Sequence, residues 1–253
     1  MKHKPKPKPK PKPTKPTDIE KMLKMDYEEC CKFLKKKYGK IKEPYFLNEK
    51  CLSPNPRIKR SREGLYIHHI DEDKAIMLST KEYAQQYPWL YQQGDRLVYC
   101  NLLEHLVLHI KIMEYPNPNR HEELVGFGGV INFLIPELND IYSGIQYELP
   151  WKQVAISQVI DKLEDYKLAL THLMKKFKGI PLHMYLSTFI PNATSKSKWS
   201  LEKNKQILQM IVDLYTQVHW NFVFRVEAIY EKLDELRRIR KETQLKQESK
   251  KGK

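Results

Sequence analysis

The sequence predicts an α+β fold that is predominantly helical: a small core of two strands and a helix, an N-terminal helix before it, and a long helical hairpin after it. Three observations carry this expectation. Two short apolar runs, "LYIHHI" at 65–70 and "RLVYC" at 96–100, have strand length, and the first ends in acids that close it. A longer apolar run, "NLLEHLVLHIKIM" at 101–113, opens with a helix start signal. Beyond Pro116, apolar residues recur every seven positions over two long stretches. With 253 residues and 41% apolar content, the chain can bury a sizeable core.

Residues 1–17 are expected to be a disordered Lys-Pro tail. "MKHKPKPKPKPKPTKP" holds seven lysines and no acid. Its prolines lack amide donors, which excludes helix and ladder strand and leaves polyproline II or disorder. It reads either as a basic arm for a nucleic acid or as a solvated leader.

Residues 18–56 form a helix and a loop. "TDIEKMLKMDYEECCKFLKKKYG" opens at a cap-like Thr17 or Asp18 and stops at Gly39. Its apolar positions are Ile19, Met22 and Leu23, then Tyr27, Cys30, Cys31 and Leu34, the spacing of an amphipathic helix. In the loop, Pro54 and Pro56 break regular structure. Arg57, Lys59, Arg60 and Arg62 cluster just after them, where they suit a phosphate backbone or simply solvent.

Residues 57–115 hold the chemistry. "LYIHHI" is a strand carrying His68 and His69, "STKEYAQQYPWLYQ" a helix from Ser79 or Thr80 ending near Gly94, and "RLVYC" a second strand. Asn101 is a natural N-cap, and Glu104 stands at the reach-back position of a capping box. His105 and His109 therefore lie one turn apart on one helix face, where two imidazoles can meet one metal ion. Four of the nine histidines fall between 68 and 109, as a strand doublet and an i, i+4 helix pair. Two metalloprotease patterns are absent: Leu106 follows His105, and Asn101 stands where HxxEH needs its first histidine.

Residues 116–245 are helical. "GFGGV" at 126–130 lacks the spacing of a nucleotide-binding loop and reads as a turn. His121, His172, His183 and His219 are scattered, as surface or packing residues. Leu208, Tyr215, Phe222, Ile229 and Leu236 recur every seven, with Val212, His219, Val226 and Leu233 between them. A matching stripe, Ile156, Leu163, Leu170 and Phe177 with Val159, Tyr166 and Leu173, offers an antiparallel partner. An intramolecular hairpin is the first reading, and a homodimer through the 201–245 helix the second. Residues 246–253 are a disordered basic tail.

The net charge of +14 suits a polyanionic partner, since lysines and arginines that neutralise phosphates release counterions. Cys30, Cys31, Cys51 and Cys100 make no CxxC pair, which fits reduced thiols. No run of about eighteen apolar residues occurs, so no membrane partner is expected and a cytoplasmic protein is.

"YIHHI", a variable insert and "LVYCNLLEHLVLH" together resemble the HNH endonucleases, a family with a ββα-metal fold. The pattern covers about residues 57–115; more loosely, the N-terminal and central region looks like HNH-type proteins of Firmicute phages and plasmids. The resemblance implies one divalent ion (Mg, Mn, Ni or Zn) held by His68, His105 and His109. It implies His69 as the general base that activates water, and DNA, with RNA as the alternative, as substrate. The family's middle residue, usually Asn, falls here at Arg96, with Asp95 beside it able to accept the hydrogen bond that orients the base-bearing loop. Arg57, Lys59, Arg60, Arg62 and Arg96 are the expected DNA contacts.

Two function classes follow. One is a metal-dependent HNH-type endonuclease that nicks or cuts DNA. The other is a non-catalytic nucleic-acid-binding or scaffold protein on a degenerate HNH fold, favoured by the arginine at the Asn position.

Overall fold

A computed structural model describes residues 15–121, 123–189 and 198–220, together with Glu235 and Arg238. It is mostly helical, with one small antiparallel sheet of two strands. Two compact units are distinguished among the described residues: those up to Val130 with Leu149–Ala169, and Ile131–Glu148 with those from Leu170 onward.

The first unit opens with two helices where a single one was expected, α1 (Asp18–Met22) and α2 (Tyr27–Tyr38). The reason is a second start signal. Thr17 with Glu20 and Asp26 with Glu29 each form a complete capping box, so the chain is re-capped at Asp26. Helix α2 buries Tyr27, Cys30, Cys31 and Leu34 along one face.

Strand β1 (Tyr66–His69) pairs antiparallel with β2 (Leu97–Cys100), setting His68 opposite Val98 and His69 opposite Leu97. The helix expected over 79–94 is cut short. Only α3 (Lys81–Ala84) forms, followed by 3-10 turns at Trp89–Gln92 and Gly94–Arg96. Pro88 brings no amide hydrogen and disfavours helical geometry in the residue before it, so the helix cannot pass.

Helix α4 (Leu102–Glu114) starts where its cap predicts: Asn101 Oδ1 accepts from the Glu104 amide, and Glu104 Oε2 accepts from the Asn101 amide. It packs on both strands and on α1 and α2. Such a helix is covered nearly all round, which explains why its polar histidines sit among buried leucines. Helix α5 (Phe127–Gly129) packs against α4, and the glycine-rich stretch is thus helical where a turn was expected.

The second unit contains α6 (Ile135–Tyr142). There Asn139 Nδ2 donates to the carbonyls of Tyr185 and Ser187, and Asn204 donates to Ser143 Oγ. Helix α7 (Pro150–Ser157), a member of the first unit, packs on the 3-10 turn Ser61–Glu63. Gly64 permits this, because a β-carbon there would meet the Val154 carbonyl at 2.7 Å.

The stripe expected to run unbroken from Ile156 to Phe177 is divided between α7 and α8 (Leu163–Lys176). The Val159 and Ile160 amides turn back onto Ile156, and Glu164 and Asp165 open a new first turn, where the helix dipole favours acids. After α9 (Leu182–Tyr185), residues 201–220 are helical, and their most buried apolar side chains are Ile207 and Ile211. Those lie one position before Leu208 and Val212 of the expected seam, which are half-buried. The seam positions Phe222, Val226, Ile229, Leu233 and Leu236, the Lys-Pro segment at 1–14 and the tail at 246–253 lie outside the described residues. No helix among the described residues is long and apolar enough to cross a membrane.

Candidate metal centre

Strand β1 ends at His69 and passes directly into a 3-10 turn, Ile70–Asp73. An extended chain would carry residue 72 roughly 13 Å from residue 68. The turn instead brings Glu72 back, with Oε2 3.3 Å from His68 Nδ1. Asp71 pins the turn: its fully buried carboxylate accepts from Arg96 Nε at 2.6 Å and Nη2 at 2.5 Å, and from Lys74 Nζ at 2.7 Å.

Helix α4 supplies the other side. His105 Nε2 and His109 Nε2 are 3.2 Å apart, and His109 Nε2 is 3.1 Å from Glu72 Oε2. One ligand atom from each of His68, Glu72, His105 and His109 lies within 4.8 Å of all the others. A tetrahedral ion with bonds of about 2.0–2.1 Å sets its donors about 3.3 Å apart, so the measured separations of 3.1, 3.2 and 3.3 Å fit one divalent cation. Of the atoms that face the centre, His68 Nδ1 is buried and lacks a hydrogen-bond partner, which an apolar core does not tolerate without cause.

Protonation matches as well. Burial pushes the His68 imidazole below its ordinary range against the pull of Glu72. Burial, then the neighbouring imidazoles of His109 and His68, holds His105 well below its own. Burial alone would raise the Glu72 carboxyl, but the facing imidazoles of His68, His109 and His69 outweigh it and keep it well below the carboxylate range. Lowered His68 and His105 imidazoles beside an ionised Glu72 carboxylate are the states a cation requires.

His69 is adjacent but distinct. Its ring is fully buried against Tyr45, centroids 4.6 Å apart. Its Nε2 is 3.0 Å from Gln92 Oε1, and its Nδ1 lies 3.7 Å from Glu72 Oε1. His105 is half-buried, with the Tyr66 ring at 6.3 Å; the Trp151 ring and Lys152 Nζ of α7 approach Tyr66 at 5.8 and 5.6 Å.

No protein-family model, curated protein or solved structure matches this chain. The donor set itself therefore carries the functional argument.

The structure brings His68, His105 and His109 together and adds Glu72, which the sequence reading passed over. Asp95 is exposed before β2, its carbonyl accepting from Lys35 Nζ, and the side chain that meets His69 is Gln92. Arg96, expected as a DNA contact, is engaged by Asp71 and ties the start of β2 to the turn after β1. Of the basic loop, Arg60 is held by Glu63 and the Tyr38 carbonyl and stacks on Tyr99, while Arg57 pairs with Glu43 at 3.0 Å. Lys59 and Arg62 are exposed. Tyr27, Gln92 and Gly129 also shape the site; in the sequence Tyr27 reads only as a packing position, Gly129 as part of a turn and Gln92 as the end of a helical run. A signal existed for Glu72, which stands four positions after His68 as His109 does after His105.

Proposed function

We propose that this chain is a metal-dependent HNH-type endonuclease, hydrolysing DNA phosphodiester bonds on a ββα-metal core formed by β1, β2 and α4. The observation that supports this reading is the convergence of one carboxylate and three imidazoles beside a further histidine. His68, Glu72, His105 and His109 would hold the ion. An imidazole-rich set suits Zn, Ni or Mn better than Mg, which prefers oxygen donors. A cation at that position supplies Lewis-acid stabilisation of the charge that grows on a scissile phosphodiester. His69 takes the proton of the attacking water, a role suited to an imidazole. Lys59 and Arg62 contact the phosphate backbone.

Incubation with supercoiled plasmid and Mn, Ni, Zn or Mg, beside an EDTA control, tests the reading. Expected is metal-dependent nicking that falls by about 10²–10⁴ in His69→Ala. Equal activity in that variant, or none with any metal, overturns it.

One observation favours a second reading, a nucleic-acid-binding or scaffold protein with a structural ion. Glu72 brings the protein donors to four, the number found in closed structural zinc sites. A tightly held ion that chelators remove only with loss of fold, together with no nicking, selects it.

A further inference from the structure

The two adjacent histidines each have one nitrogen engaged by a side chain whose hydrogen-bonding capacity is already committed. Tyr27 Oη is 2.8 Å from His68 Nε2 and 2.8 Å from the Ile70 carbonyl. A phenol carries a single hydrogen, and a carbonyl can only accept. The hydrogen therefore goes to Ile70, and the second contact requires His68 Nε2 to be the donor. Gln92 repeats the logic. Its Nε2 donates to the Leu78 carbonyl at 3.1 Å, which fixes the amide orientation and leaves Oε1 as the atom facing His69 Nε2 at 3.0 Å. An amide oxygen accepts, so His69 Nε2 is the donor.

We propose that Tyr27 and Gln92 are positioning residues that lock His68 and His69 in the same Nε2–H tautomer, presenting both Nδ1 lone pairs to the Glu72 side.

The division of labour follows from the strand. Neighbouring side chains of β1 leave the backbone in opposite directions, and the Nε2 edges of the two rings are met from different elements. Tyr27 comes from α2 and Gln92 from the 3-10 turn at Trp89–Gln92. With the hydrogen on Nε2, His68 Nδ1 faces Glu72 Oε2 at 3.3 Å, acceptor to acceptor. A cation between the two would be held by both. The His69 lone pair faces the same carboxylate at 3.7 Å and is the atom that can receive a proton. The inference rests on the metal-site reading above, but its central claim concerns the metal-free protein.

The test is nitrogen-15 NMR of histidine-labelled, metal-free full chain at mildly alkaline pH, with cobalt(II) titration as a second readout. His68 and His69 are expected to show a protonated Nε2 and an unprotonated Nδ1. Tyr27→Phe should scramble the tautomer of His68 alone and lower cobalt affinity by about 10–100-fold, the usual effect of removing an outer partner of a metal ligand. Gln92→Met should scramble His69 alone and leave cobalt affinity unchanged. A wild-type spectrum with the hydrogen on Nδ1 of either residue overturns the proposal, and does so even if a variant fails to fold. So does a folded Tyr27→Phe protein with unchanged spectrum and affinity. Expected tautomers without plasmid nicking support the positioning roles and overturn the endonuclease reading, so the two failures are distinguishable.

Discussion

Gly129 lies against the imidazole of His109 so closely that a β-carbon built on it would stand under 3.0 Å from Nδ1 and Cε1. Helix α5 thus packs its backbone directly on a candidate ligand. Gly129→Ala must displace either the ring or the helix. The expected result is a loss of about 1–3 kcal/mol in stability from overpacking. A fall of about tenfold or more in zinc affinity should accompany it. Thermal melts and calorimetric titration read both, and unchanged affinity would show that the ring does not hold the ion.

Asp71 and Arg96 form the pair that pins the turn after β1. Burial would raise the Asp71 carboxyl, but Arg96 and Lys74 outweigh it and hold it below the ordinary range. A depressed folded-state value means the stabilisation is present above the unfolded value of about 3.9 and is lost as pH falls through the folded one. Arg96→Met should cost about 3 kcal/mol at neutral pH, the low end for breaking a buried pair, because Arg96 keeps 31% of its side chain exposed. It should also flatten the stability profile below about pH 4. Denaturant melts across acidic pH measure this; parallel wild-type and variant profiles would refute it.

All four cysteines are free and buried. Burial pushes the thiols of Cys30 and Cys31 up to about 12, and that of Cys100 well above its usual value. Since the thiolate is the reactive species, a disulfide reagent at neutral pH should titrate almost no thiol in the native protein and all four in guanidinium. Cys51 should react first among them, because exposed residues flank it. Rapid native reaction of Cys30 or Cys31 would contradict this burial.

Four of the residues expected to contact DNA separate into two groups. Lys59 and Arg62 are exposed, whereas Arg60 and Arg96 are occupied within the protein. For duplex DNA binding, Lys59→Ala and Arg62→Ala should each reduce the slope of log affinity against log salt by about 0.9, the value of one phosphate contact. Arg96→Met should leave the slope unchanged. Fluorescence anisotropy over a salt series decides between these outcomes.

Much of the candidate centre was legible from local chemistry. Asn101 and Glu104 cap α4, and the four-residue spacing of His105 and His109 then places both on one face, because helix geometry depends only on neighbours in sequence. The same local logic was present at Asp26 and Glu29, where a second capping box divides the first helix, and at Pro88, which limits the helix expected over 79–94 to α3.

The sequence by itself determined the two strands, the capped helix and three of the four candidate donors. Tertiary structure decided the rest. Glu72 reaches His68 through a turn that the distant Arg96 holds in place, Tyr27 and Gln92 meet neighbouring rings from different elements, and Gly129 admits α5 to the back of His109. Each of these depends on a close approach between segments far apart in sequence, and periodicity and propensity report only what lies within a few residues along the chain.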